Sequence, residues 1–202
     1  MKALTVNGKQ LTVDGVEILG YDDSIPARTL LLLFDDEWEP ADILSDGITF
    51  RRVSNHENLW YATSTMTDGT FGHFSSNGSG MKAVLGSGDM SFITDASDMF
   101  WGCSITHYTP ISLPNATKFD RMFAQTALTE MPEIDVSRAT SVESMFYQCV
   151  NMKTGIYAMY QQLAAVATIS NHTATFYDCG SNTVEGAAEL AQIPSSWGGT
   201  GA

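Results

Sequence analysis

Positive charge is scarce in this chain. Lys and Arg number 10 against 23 Asp and Glu, giving a formal net charge of −13 at pH 7. Nucleic-acid recognition needs clustered Lys and Arg facing phosphates, so the balance argues against it, and equally against docking on an anionic membrane. Long hydrophobic runs are missing too. The longest obvious one, Leu30–Phe34, is far short of the ~20 residues of a membrane span, so no membrane insertion is expected. The opening MKALTVNGKQ holds no apolar segment of signal-peptide length; the expectation is a chain that stays inside a cell until lysis, or leaves it as part of something larger. Cysteine is limited to Cys103, Cys149 and Cys179, an odd set that makes a poor disulfide framework. Neither CxxC nor HxxxH spacing occurs, and none of the GxSxG, P-loop or zincin motifs is present. His56, His73, His107 and His172 are scattered and read as surface or turn residues. No enzyme activity, metal or cofactor is therefore expected. Gly78-Ser-Gly80 imitates half a dinucleotide fingerprint, but no strand precedes it. Asp35, Asp36, Glu37 and Glu39 crowd around Trp38 without the D-x-D-x-D-G spacing of a calcium loop and read as a solvated turn.

What the chain does have is a period of 23 residues. Thr94, Thr117 and Thr140 open three units, and Met99-Phe100, Met122-Phe123 and Met145-Phe146 fall in register within them. Cys103, Thr126 and Cys149 share a column, and Ile111-Ser-Leu113 matches Ile134-Asp-Val136. Phe176-Tyr-Asp-Cys179 adds a partial fourth unit, which brings Cys179 into the cysteine column. A fixed period in this range predicts stacked units that bury their apolar sides against their neighbours. The Met-Phe pairs are expected in short helical or turn-like segments, and the Ile-x-Leu and Ile-x-Val stretches as strands of a narrow parallel sheet. Met99, Phe100, Met122, Phe123, Met145 and Phe146 are assigned to the core. Cys103, Cys149 and Cys179 are assigned to a ladder of small buried side chains.

The flanks fill in the rest. Residues 1–20 alternate apolar and polar around Asn7-Gly8 and Asp14-Gly15, which predicts a small β meander, with Tyr21–Ala27 as a linker. Thr29–Phe34 reads as a strand buried on both faces, followed by strands at Ile48–Val53 and Leu59–Thr63. Met81–Gly86 reads as a short cap before the repeats. Ile156, Met159, Tyr160, Leu163 and Val166 lie at helical spacing within Gly155–Ala167, and Thr183–Gln192 predicts a second helix, with Trp197 closing the end. The expected fold is mixed α+β: an N-terminal antiparallel β segment, then a short leucine-rich-repeat-like solenoid with 23-residue repeats and a helical C-terminal cap. Expected domains are 1–27 (attachment segment), 28–88 (β-rich cap region) and 89–202 (solenoid with its cap).

The DMFWGCS and SMFYQCV units resemble the SxMFxxCxxL units of BspA-like leucine-rich-repeat surface proteins over about Gly88 to Cys149, departing where Thr126 replaces Cys. That resemblance implies adhesion at a cell surface. Val84-Leu85-Gly86, Tyr157-Ala-Met-Tyr160 and the run Asp178–Gly199 also resemble a group of short phage and prophage proteins, which implies a virion accessory or host-contact protein. The expected function is accordingly a non-enzymatic virion component: a head decoration, head fibre or tail-associated subunit. It would attach to other virion proteins through residues 1–27, form homo-oligomers, and contact a bacterial surface glycan or protein. The alternative is a bacterial cell-surface adhesin. Candidate contact residues are Trp101, His107, Tyr108, Ser112 and Asp135.

Overall fold

The run Thr29–Phe34 (β5) carries no polar side chain after Thr29, so neither of its faces suits water, and it takes the central place in a sheet. The computed structural model describes residues 5–6, 9–10, 12–13, 16–17, 25–35, 47–53, 57–74 and 80–201. Before β5 stand two separate antiparallel pairs: Thr5–Val6 (β1) with Lys9–Gln10 (β2), and Thr12–Val13 (β3) with Val16–Glu17 (β4). The two pairs flank Asn7-Gly8 and Asp14-Gly15, the turns of the expected meander, which themselves lie outside the described residues.

β5 is joined in one sheet by Ile48–Arg52 (β6), Leu59–Ser64 (β7), Met81–Ser87 (β8) and His107–Tyr108 (β9), in the order β6-β7-β5-β8-β9. Every pairing is antiparallel except β8 with β9. Alternation along β5 splits its side chains between two clusters. Leu30, Leu32 and Phe34 join Phe50, Trp60, Met81 and Val84 in the main core, while Leu31 joins Val53, Leu59, Tyr61, Ala83 and Leu85 on the opposite face. Met81–Gly86, expected as a short cap, lies in β8, a full sheet strand beside β5.

The solenoid expectation is corrected by this topology. β5–β9 converge in one open, mixed five-stranded sheet accompanied by two short helices, β1–β4 stay in their two pairs, and no leucine-rich-repeat-like solenoid is formed among the described residues. Ile111–Leu113 and Ile134–Val136 are not strands. Their alternation reports alternate burial in an irregular chain, and Pro110, Pro114 and Pro132 remove the amides that a ladder there would need. What recurs is a turn. Turns over residues 97–102, 120–125, 143–148 and 173–180 lie one on the next, linked by single parallel bridges at Asp95↔Lys118, Lys118↔Ser141 and Ser141↔Asn171.

Within each turn the amides divide their work. The N–H groups of Ala96, Asp98, Phe100 and Gly102 donate to carbonyls of Lys118, Asp120, Met122 and Ala124 in the next turn. Those of Met99, Trp101 and Cys103 close the turn locally on Ala96, Asp98 and Phe100. The following turn repeats both sets. Fitting the turn requires left-handed backbone at Asp98, Arg121, Ser144 and Ala174, and again at Gly102, Gln125, Gln148 and Asp178. Inside the turns, Phe100, Phe123, Phe146 and Phe176 stack in sequence at 5.6, 5.7 and 5.7 Å between ring centroids. Phe74 extends the column toward the sheet, 6.0 Å from Phe100.

The C-terminal end is closed by Ile156–Ala164 (α1), Val184–Leu190 (α2) and a single 3₁₀ turn at Ser195–Trp197. Ile156, Met159 and Leu163 form the buried stripe of α1. α1 has no capping side chain of its own; the Glu189 carboxylate on α2 accepts from the N–H of Tyr157 at 2.9 Å and of Gly155 at 3.3 Å, placing negative charge at the positive end of the helix. Thr183 caps α2 by accepting from Gly186 N–H. Gly186 is required for the close approach, since a Cβ there would lie 2.2 Å from the Met152 carbonyl oxygen.

Phe123 has aromatic neighbours on three sides, Phe100, Phe146 and Tyr108. Phe123→Ala is expected to cost about 3–5 kcal/mol. Thermal denaturation measures it, and an unchanged melting temperature would remove the stack from the account of stability.

Candidate functional site

The two residues after each buried pair form two further columns. The first holds Trp101 and Tyr177, both exposed, with half-buried Tyr147 and fully buried Ala124 between them; the second holds exposed Gly102 and Gln125 and half-buried Gln148 and Asp178. Trp101 is 42% exposed and Tyr177 50%, both high for large apolar side chains in a folded chain. Tyr147 and Tyr177 stack with their rings 5.2 Å apart and inclined by 13°. Beside them runs a chain of amides. Trp101 Nε1–H donates to Gln125 Oε1 at 3.2 Å, and Gln125 Nε2–H donates to Gln148 Oε1 at 2.9 Å. The chain has one polarity, because Gln125 receives through oxygen and gives through nitrogen to the oxygen of Gln148. The columns carry no formal charge until Asp178. On the neighbouring column Arg121 is clamped to both carboxylate oxygens of Asp98 at 2.7 Å, a bond that, with the nearby Asp120 and Glu143, raises the guanidinium pKa further above its ordinary value.

Three grooves open beside these elements. One, of about 500 Å³, starts at Tyr177 and Asp178 and is lined by Ser181, Ser195, Gly199 and Thr200. A second, of about 450 Å³, lies against His73, Asp95, Ser97 and Asp98. The third, of about 420 Å³, contains His107, Tyr108, Glu130, Met131 and Glu133.

The sequence-predicted contact residues are thus divided. Trp101 stands exposed on the aromatic column. His107 and Tyr108 form β9 and line the third groove. His107 is exposed, but the Tyr108 ring packs edge-on against Phe100 and Phe123, and burial pushes its phenol pKa up. Ser112 and Asp135 are exposed one unit apart. The Asp135 carboxylate is held below the usual carboxylate range, chiefly by the Ser137 backbone N–H at 2.9 Å. Tyr147, Tyr177, Gln125 and Gln148 lie outside the motif residues that define the repeat. The signal that finds them is the pair of columns following Met-Phe, visible once the register is extended across the insertion to Phe176-Tyr177.

Asp35 pairs with Lys82 at 3.1 Å; Asp36, Glu37 and Glu39 lie outside the described residues. Among the described residues no group of three or more His, Cys, Asp or Glu side chains is placed to hold a metal ion, and no helix is long and apolar enough to cross a membrane. No protein-family model, curated protein or solved structure matches the chain.

The cysteine column is buried behind the aromatic one. Cys149 Sγ–H donates to the Phe123 carbonyl at 3.0 Å, and Thr126, standing where its neighbours carry Cys, meets Cys149 Sγ at 3.4 Å. Desolvation raises all three thiol pKa values, that of Cys103 to about 12. At pH 8 the folded protein is therefore expected to leave all three thiols unmodified by a thiol-exchange reagent, with full reaction after unfolding in urea. A thiol that reacted in the folded protein at the rate of a free cysteine would contradict the buried ladder.

Proposed function

We propose that this chain is a non-enzymatic accessory protein of a phage virion, a head decoration, head fibre or tail-associated subunit, that presents a fixed contact surface to a host cell. The observation that carries the reading is the register between the buried phenylalanine stack and the Trp101–Tyr177 columns. Backbone hydrogen bonds recurring from turn to turn hold outward side chains at set spacing, and that is the property of a display scaffold. Binding groups held in place before contact lose little conformational entropy on association. The likeness of Val84-Leu85-Gly86, Tyr157–Tyr160 and Asp178–Gly199 to short phage and prophage proteins supports the virion setting. In this proposal residues 1–27 attach the chain to other virion proteins, and the Trp101 face points away from the particle.

The test is quantitative mass spectrometry of purified particles and of washed cell envelopes from the source organism. Recovery in particles at a fixed ratio to the major capsid protein is expected. Recovery confined to envelopes would overturn the virion reading in favour of a cell-surface adhesin. Deleting Met1–Tyr21 is expected to abolish particle incorporation while leaving the melting temperature of the remaining chain unchanged; normal incorporation of the deletion variant would remove the attachment role.

A further inference from the structure

The Trp101–Tyr177 face has a chemistry narrower than "contact surface", and we infer that it binds a neutral, extended polysaccharide. The inference rests on the display reading above and supplies its ligand class. Charge is the first argument. The chain carries −13 overall, so an anionic polymer meets long-range repulsion, yet the two columns offer a cationic partner no carboxylate until Asp178, and Arg121 is already neutralised by Asp98. The occupant that suits such a strip is uncharged.

The second argument is the pairing of flat aromatic faces with oriented amides. A pyranose presents a face of C–H groups, which packs on an aromatic ring, and a rim of hydroxyls, which needs donors and acceptors. Tyr147 and Tyr177 stack on one another one unit apart, so each leaves open only the face turned away from its partner, and Trp101 supplies a third aromatic surface two units from Tyr147, across buried Ala124. The one-way chain from Trp101 through Gln125 ends at Gln148, whose Nε2–H groups have no acceptor among the described residues. They are donors left for a ligand oxygen. Past Tyr177 the strip runs into the groove of about 500 Å³, which Ser181, Ser195 and Thr200 line together with Ala187, Leu190 and Asp178. An extended chain laid along the turns would meet Trp101, then the glutamine amides beside the tyrosine rings, then the groove.

The experiment is native affinity electrophoresis of the full chain through gels containing a soluble β-glucan, a galactomannan or a dextran, with alginate as the anionic comparison. Retardation by at least one neutral polymer is expected, unchanged by added salt. Tyr177→Ala and Gln148→Ala are each expected to weaken it roughly tenfold, with Tyr177→Phe close to wild type. Melting curves of the variants separate lost binding from lost folding. Failure of every neutral polymer to retard the protein, retardation by alginate alone, or retardation indifferent to Tyr177→Ala in a folded variant would each overturn the inference. Particle recovery is scored without any glycan, so the virion reading stands or falls separately.

Discussion

Five phenylalanine rings set the spacing of everything outside them. Phe74, Phe100, Phe123, Phe146 and Phe176 form one column with centroids 5.6 to 6.0 Å apart, every ring buried. Near-parallel offset rings at this separation gain dispersion and quadrupolar energy beyond simple burial. Because Phe100, Phe123 and Phe146 each belong to a turn whose alternate amides bond to the next turn, the aromatic spacing is passed to the backbone and from there to the surface. The Tyr147–Tyr177 pair outside repeats the inner distance at 5.2 Å. The exposed face is in this sense an imprint of the core.

The arrangement has a cost in backbone conformation. Each turn places two residues in the left-handed region, and Asp98, Arg121, Gln125, Ser144, Gln148, Ala174 and Asp178 do so without being glycine. Such geometry costs on the order of 1 kcal/mol per residue. The opposing gain is the set of hydrogen bonds between turns, each worth about 1 kcal/mol net, together with ring burial. The Asp98–Arg121 pair adds little stability at its exposed site, but it fixes two of the strained positions relative to one another.

Much of this was legible in the residues and some was not. Thr29–Phe34 was readable as a strand buried on both faces because it lacks any polar residue to turn outward, and α1 because its apolar residues return at helical spacing. The Met-Phe and Cys columns were readable as core because they recur in register. The Ile-x-Leu and Ile-x-Val stretches misled: alternation is shared by strands and by irregular chain that buries every second residue, and the flanking prolines were the stronger signal. The solenoid expectation fell with those strands, since the longer strands, β5 to β8, come from before the repeats and gather with β9 in one sheet. Glu189 capping α1 is a contact between residues distant in sequence, beyond the reach of local pattern. Tyr177 was in view within the partial fourth unit Phe176-Tyr-Asp-Cys179, but its exposure and its stacking on Tyr147 are packing results that the register does not carry.

Turns and sheet are held to form one cooperative body around the phenylalanine column. Native-state hydrogen exchange reads this at the amides of Phe100, Phe123, Phe146 and Phe176, which donate to Met122, Met145, Thr175 and Trp197. These four amides are expected to exchange as one set, at the free energy of global unfolding. Protection that fell away step by step from Phe100 to Phe176 would show turns opening independently, and would contradict a single cooperative body.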